Sequence, residues 1–219
     1  MKIIKAGYEI LTPSLDLSTC LPRLERVGRV CYKSEDKITE NSAASFVSSL
    51  ISRGHEAIIE HESLSVKFIV DRGVSHELVR HRLASWAQES TRYCNYSKDG
   101  FGNECTFIRP CFWKDLSLFS VKDQYDRWEK AMQSAENTYF ELIKHGATPQ
   151  EARSVLPNSL KTEVIMTANL REWRHFFRLR TADAAHPQMQ EVTRQLLDEL
   201  RGIVPVIFDD IPRPWVEGE

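Results

Sequence analysis

Between Leu64 and Val70 the apolar residues Leu64, Val66, Phe68 and Val70 alternate with Ser65, Lys67 and Ile69, the period of a strand with one face turned to a core. Such a strand needs a covering layer, and segments elsewhere carry the helical period that can supply it. Thr39 to Ser52 reads as a helix with Ala43, Ala44, Phe46, Val47, Leu50 and Ile51 on a broad apolar face, stopped by Gly54. Lys122 to His145 places Tyr125, Trp128, Met132, Ala135, Tyr139 and Leu142 at helical spacing and ends at Gly146.

The remaining elements follow from local signals. Lys2–Leu11 reads as a strand, a short helix runs from about Ser75 to Arg82, and Thr106-Phe107-Ile108 is a short strand after the turn-rich, mobile loop Cys94 to Gly102. Thr148-Pro149-Gln150-Glu151 is a capping box that opens a short helix carrying Arg153. Leu160 to Ala168 reads as a strand, Asn169 caps a helix to about Arg180, and Pro187 opens a last helix with Met189, Val192, Leu196 and Leu200 as its buried stripe. Strands and helices mix without a regular βαβ alternation. The expected class is therefore α+β: a single domain over residues 1–219 with a mixed or antiparallel sheet flanked by helices.

A chain of 219 residues can bury a core of its own. A net charge of −2 argues against broad adhesion to nucleic acid or to a membrane, although it can conceal a local basic pocket. No apolar stretch approaches the roughly 20 residues of a membrane span, and Met1 to Ala6 has no signal-peptide hydrophobic region, so a cytoplasmic protein is expected. The five cysteines include no C-x-x-C pair, which points to free thiols. His55 and His61 are six residues apart, too far round a helix to share a zinc ion, and no metal site is expected. No glycine-rich phosphate loop and no G-x-S-x-G elbow occur, so any nucleotide has to be held by side chains.

Two clusters could do so. The run Arg80 to Tyr93 packs Arg80, His81, Arg82, Ser85, Ser90, Thr91 and Arg92 into one short stretch. Guanidinium groups bind phosphate through paired, charge-assisted hydrogen bonds, and Ser90 and Thr91 can add hydroxyl and backbone donors. Surface arginines at a solvated helix end have the same composition. In the second cluster, helical spacing puts Trp173, Phe176, Phe177 and Arg180 on one side, so Arg180 ends an apolar face and needs a partner. Arg171 and His175 share another face and can reach one ligand together, or simply snorkel to solvent.

Arg80-His81-Arg82, seven intervening residues and then Ser90 resembles the signature of the flavin-dependent thymidylate synthases. Thr91-Arg92-Tyr93, Gly54-His55-Glu56 with Glu60-His61, Arg153 with Leu156-Pro157, Asn169 to Arg180, and Ala185-His186-Pro187 are similar to the same family, in order, over roughly residues 25 to 200. The resemblance implies a homotetramer of α+β subunits with FAD as cofactor and active sites shared between subunits. It implies conversion of dUMP to dTMP, with methylenetetrahydrofolate as one-carbon donor and NADPH as reductant of the flavin. By the same resemblance His55, Glu60, Arg80, His81, Arg82, Asn169, Arg171, His175 and His186 contact the flavin cofactor. Ser90, Arg92 and Arg153 hold the substrate phosphate, Glu77, Arg80 and Gln88 line the sugar, with Glu77 and Arg80 three apart on one helix, and Arg180 faces the uracil. Arg180 and Ser90 are the catalytic candidates. Ser90 reads as a phosphate ligand more readily than as a nucleophile, because no local feature supplies a general base, and Cys94 reads as a structural or loop thiol. Ala57 and Ala87 stand where family members often carry polar residues, which removes a possible hydrogen bond at each. On the same scaffold the alternatives are a flavin-dependent pyrimidine hydroxymethylase and a non-catalytic nucleotide-binding homologue.

Overall fold

The alternating segment is strand β3 (Ser63–Asp71), and its Leu64, Val66, Phe68 and Val70 are all fully buried. The structure, a computed structural model, describes residues 1–98, 100 and 102–213. Asp99 and Phe101 of the turn-rich stretch lie outside the described residues. No helix among the described residues is long and apolar enough to cross a membrane.

Helices and strands occur in the α+β mixture expected. Lys2–Leu11 is not one strand: it divides at Lys5-Ala6 into β1 (Lys2–Ile4) and β2 (Gly7–Ile10), which belong to different sheets. β1 pairs in parallel with β5 (Thr106–Ile108), Ile3 opposite Phe107, and Phe107 also makes an antiparallel bridge to Leu160. Pairing of both senses is thus present. The larger sheet contains β2, β3, β4 (Ser85–Gln88) and β6 (Lys161–Asn169), in the order β2-β3-β6-β4.

The chain divides into two compact units, each made of three segments. The first comprises Met1–Gly7, Phe68–Arg80 and Ala87–Val164. Its core gathers Tyr96, Cys105, Phe107, Met132, Tyr139, Ala152 and Leu160, with Met132 and Tyr139 supplied by the long helix α5 (Phe119–Lys144). Glu136 on the same helix is buried, and its carboxylate is answered by the Cys105 backbone N–H at 2.7 Å and the Met1 ammonium at 3.1 Å. The capping box forms as expected: Glu151 Oε2 accepts from Thr148 N at 2.7 Å and opens α6 (Pro149–Ala152). Arg153 falls just beyond it, in a 3-10 turn (Arg153–Val155).

The second unit comprises Tyr8–Lys67, His81–Trp86 and Ile165–Glu219. Here α2 (Cys20–Tyr32) packs on α3 (Ser42–Ser52), which stops where Gly54, at φ 76°, turns the chain. Asn169 Oδ1 accepts from Glu172 N at 2.9 Å and so starts α7 (Leu170–Arg180), while Pro187 opens α8 (Pro187–Ile203). α7 buries Trp173, Phe176 and Phe177 completely, each ring within 5.5 Å of the other two, centroid to centroid. Burial of side chains this size contributes on the order of 2 kcal/mol each, which fixes the helix's rotation about its axis.

That rotation also buries Arg174, whose guanidinium has to be answered inside the protein. Glu56 Oε1 accepts at 3.2 and 3.0 Å, the Asp210 carboxylate at 2.6 and 2.7 Å, and the Ile207 carbonyl takes a further N–H. We expect Arg174→Met to lower the unfolding free energy by about 3 kcal/mol, since it strands a carboxylate built for a cation. Loss of the exposed Arg127–Asp123 pair should leave stability unchanged. Guanidinium chloride denaturation of both variants checks the contrast.

Candidate functional site

The structure sorts the expected residues by unit. Glu77, Arg80, Gln88, Ser90, Arg92 and Arg153, all expected at the substrate, belong to the first unit, whereas His55, Glu60, His81, Arg82, Asn169, Arg171, His175, Arg180 and His186 belong to the second. Arg180 is the one substrate residue in the second unit, and Arg80 is the one flavin residue in the first.

In the first unit, Asp71 rather than Ser75 starts the helix: its Oδ1 accepts from Val74 N at 2.7 Å, giving α4 (Arg72–Leu78). Glu77 and Arg80 therefore do not share a helix. Arg80 lies in the turn that follows, its Nε donating to the His76 carbonyl at 3.2 Å. The early start places Arg72 and His76 one turn apart on α4, where both line a cleft of about 430 Å³ together with Thr91, Arg153, Ser154 and Asn158. That volume falls within the range of small-molecule sites. Buried Thr91 accepts from Arg153 Nη1 at 3.1 Å and steers that guanidinium, while Arg72 Nη1 donates to the Glu89 carbonyl at 3.4 Å.

No carboxylate side chain lines the cleft among the described residues, and none is ion-paired with Arg72, Arg80, Arg92 or Arg153. Arg23, Arg29, Arg127, Arg171, Arg174, Arg178, Arg194 and Arg201, in contrast, all have acidic partners. Arg26, Arg53, Arg82 and Arg109 likewise lack acidic partners among the described residues, so what sets the cleft apart is that Arg72 and Arg153 both line it with no carboxylate beside them, an arrangement that favours an anion site over a merely solvated helix end. Arg72 and His76 are not among the sequence candidates; the signal that pairs them is the N-cap at Asp71, which starts the helix three residues before Ser75.

Gln88 donates to Ser75 Oγ at 3.0 Å from β4, which holds it in place. Ser90 Oγ accepts only the Arg92 N–H, at a long 3.4 Å, and has no histidine or carboxylate partner among the described residues. It has no general base. Burial, aided by the charge of Glu89, pushes the Cys94 thiol up and leaves it a poor nucleophile at neutral pH.

In the second unit, His81 is the centre of the arrangement. Its ring is buried edge-on against Phe176 at 4.9 Å and lies 5.7 Å from His175, and its carbonyl accepts from Trp86 Nε1 at 3.0 Å. Nδ1 lies 3.2 Å from buried Glu172 Oε1, and Nε2 accepts from Arg180 Nε at 3.0 Å. Arg180 has thus found a partner at the end of its apolar face. His81, Glu172 and His175 could between them offer three metal ligands within 4.8 Å of one another, but the first two are engaged in these hydrogen bonds. On the exposed face of α7, Arg171 pairs with Glu60 at 2.5 Å, and His175 is open to solvent. His55 Nδ1 meets Tyr32 Oη at 3.1 Å, Asn169 is occupied as the cap of α7, and His186 Nδ1 caps α8 through Gln188 N at 3.3 Å. Arg82 is exposed beside His81.

The first unit carries a cationic cleft with no carboxylate in its lining and the second an aromatic-backed histidine–arginine pair, donor sets within an α+β protein that suit an anionic ligand held by side chains instead of a phosphate loop. Comparison with known proteins narrows this class. The family model described as "Thymidylate synthase complementing protein" matches residues 20–206, and the chain belongs to that family. The flavin-dependent thymidylate synthase of Geobacter sulfurreducens is 33% identical over 190 residues, covering 84% of this chain and 78% of that protein. The enzyme of the same name from Pyrococcus furiosus is 34% identical over 174 residues, or 79% of this chain and 68% of that one. Among solved structures, the UMP/dUMP methylase PolB from Streptomyces cacaoi, bound with 5-Br dUMP, has a similar fold with a TM-score of 0.75 at 23% identity, covering 95% of this chain and 96% of its own.

Burial holds His81 below the ordinary histidine value of 6.5, and the charges of Arg180 and His175 add to this against the opposing pull of Glu172. The folded state therefore favours the neutral ring. Its contribution to stability is complete above 6.5 and is lost as pH falls through the lowered value. Histidine-resolved NMR titration should show the His81 ring still neutral below pH 6.5, with folding stability declining only in that acidic window.

Proposed function

We propose that this chain converts dUMP to dTMP, taking a one-carbon unit from methylenetetrahydrofolate and hydride from FAD reduced by NADPH. Membership of a family whose match runs through residues 20–206 carries the reading, because that stretch includes the complete Arg80-His81-Arg82…Ser90 signature. The two named relatives and the four substrate-side arginines without carboxylate partners support it.

Arg153, steered by Thr91, binds the nucleotide phosphate with Arg92 and Ser90, while Glu77, Arg80 and Gln88 line the sugar. Arg180 hydrogen-bonds the pyrimidine and stabilises negative charge as it develops on the ring. The donor set of the second unit fits a flavin dinucleotide: Arg82, Arg171, His175 and His186 are exposed cationic or donor groups suited to its pyrophosphate and ribose hydroxyls, and His55, Glu60, His81 and Asn169 complete the set with Arg80. When bound, that cofactor supplies the hydride that completes the methyl group. The chain's own residues then have to orient the nucleotide, exclude water and hold charge, and no covalent protein nucleophile is called for. The two units act as one domain, four chains assemble into a tetramer whose sites draw on more than one subunit, and the reaction takes place in the cytoplasm.

Purified protein incubated with dUMP, methylenetetrahydrofolate and NADPH should be yellow and should yield dTMP. A hydroxymethylated nucleotide without dTMP, or a colourless protein that FAD does not reconstitute, would overturn the reading. Arg153→Ala should weaken dUMP binding about tenfold to a hundredfold, the worth of one or two charge-assisted hydrogen bonds, while the bound-flavin spectrum is retained.

A further inference from the structure

The hydrogen bonds around His81 admit only one arrangement of protons. Arg180 Nε carries a hydrogen and no lone pair, so at 3.0 Å it can only donate, and His81 Nε2 must be the acceptor. The single proton of the neutral imidazole then sits on Nδ1, which points it at Glu172 Oε1, 3.2 Å away. A proton on Nε2 would set two N–H groups against each other.

We infer that Glu172 is a positioning residue for the reaction: its buried carboxylate fixes His81 as the Nδ1–H tautomer, and His81 Nε2 in turn fixes the direction of the Arg180 guanidinium. Three observations carry the assignment beyond a chance contact. Glu172 is only 6% exposed, yet the cap of α7 already satisfies its backbone N–H, so the side chain has no helix-starting role to explain its burial. His81 is 5% exposed, wedged edge-on against Phe176 and tied through its carbonyl to Trp86, so the ring cannot swing to find another partner. Arg180 ends α7, and its Nε is the guanidinium atom nearest the backbone. A bond there holds the plane of the group. A carboxylate behind a histidine is a common way of selecting tautomer and orientation, and here the oriented group is a cation rather than a nucleophile or a metal.

The inference rests on the reading that Arg180 meets the pyrimidine, and two measurements keep the parts separable. The first needs no substrate. Imidazole ¹⁵N shifts of the flavin-loaded wild type should report Nδ1 protonated and Nε2 bare for His81. In Glu172→Gln, whose amide can donate as well as accept, the tautomer should become mixed. An Nε2–H tautomer in the wild type, or an unchanged Nδ1–H signature in Glu172→Gln, would overturn the proposal whether or not the protein makes dTMP.

The second is kinetic. Glu172→Leu should raise the KM for dUMP about tenfold or more, the worth of a lost hydrogen bond to a charged group, with flavin occupancy retained. Glu172→Asp, which keeps the carboxylate, should recover most of that loss. Equal damage from Leu and Asp, with the histidine signature unmoved, would mark Glu172 as ordinary packing. If Glu172→Leu does not fold, the tautomer in Glu172→Gln still decides. Absence of dTMP from the wild type with the expected tautomer present would count against the proposed reaction and leave the Glu172–His81–Arg180 chain in place.

Discussion

A guanidinium group has five N–H donors and no acceptor, so each one that leaves bulk water has to meet oxygen or nitrogen lone pairs supplied by the protein or by a ligand. The architecture of this chain follows from where those acceptors are placed. In the second unit they are provided: Glu56 and Asp210 for Arg174 and Arg178, Glu60 for Arg171, His81 for Arg180. In the first unit Arg153 has a hydroxyl, and Arg72 and Arg80 have one backbone carbonyl each, which satisfy single donors and leave the positive charge unbalanced. An anion with several acceptor oxygens completes such a set better than water does.

Helix α7 brings the second unit's chemistry into register. Its aromatic face, Trp173, Phe176 and Phe177, is fully buried and cannot rotate without exposing large rings. Everything else on the helix is then fixed by 3.6-residue geometry. Arg174 has to point inward and be answered, Arg171 and His175 have to point outward, and Glu172 is held close to His81. Pairing rings of 5.2 to 5.5 Å centroid spacing make this a stiff frame, which suits a site that works by orientation and electrostatics rather than by bond formation to the protein.

How far this could be read from sequence depended on whether the signal was local. The alternation of β3, the glycine stops after α3 and α5, the Thr148 capping box and the Asn169 cap are all written within a few residues of the features they specify, and each was legible. The Asp71 cap is equally local, yet a helix start at Ser75 falls three residues late and leaves Arg72 off the face it shares with His76. β4 was not seen, because Ser85–Gln88 lies on the surface and shows no buried alternation, and the break between β1 and β2 depends on their joining different sheets. The Glu172–His81 contact joins residues 91 positions apart. No periodicity or spacing rule carries that information, so Glu172 looked like an ordinary first-turn acid.

The run that first marked the chain takes on a different meaning in this light. Arg80 closes one segment of the first unit, His81–Trp86 belongs to the second, and from Ala87 onward the chain is again part of the first. The spacing of Arg-His-Arg to Ser is therefore not one continuous binding loop. Its seven intervening residues, 83 to 89, include the four of β4. Lengthening β4 by one residue would move Ser90 and Arg92 one position further from its start. A one-residue insertion in β4 would also reverse which side chains face each way from that point, moving Gln88 off Ser75. The interval in the signature thus carries a strand-register constraint over Ser85–Gln88.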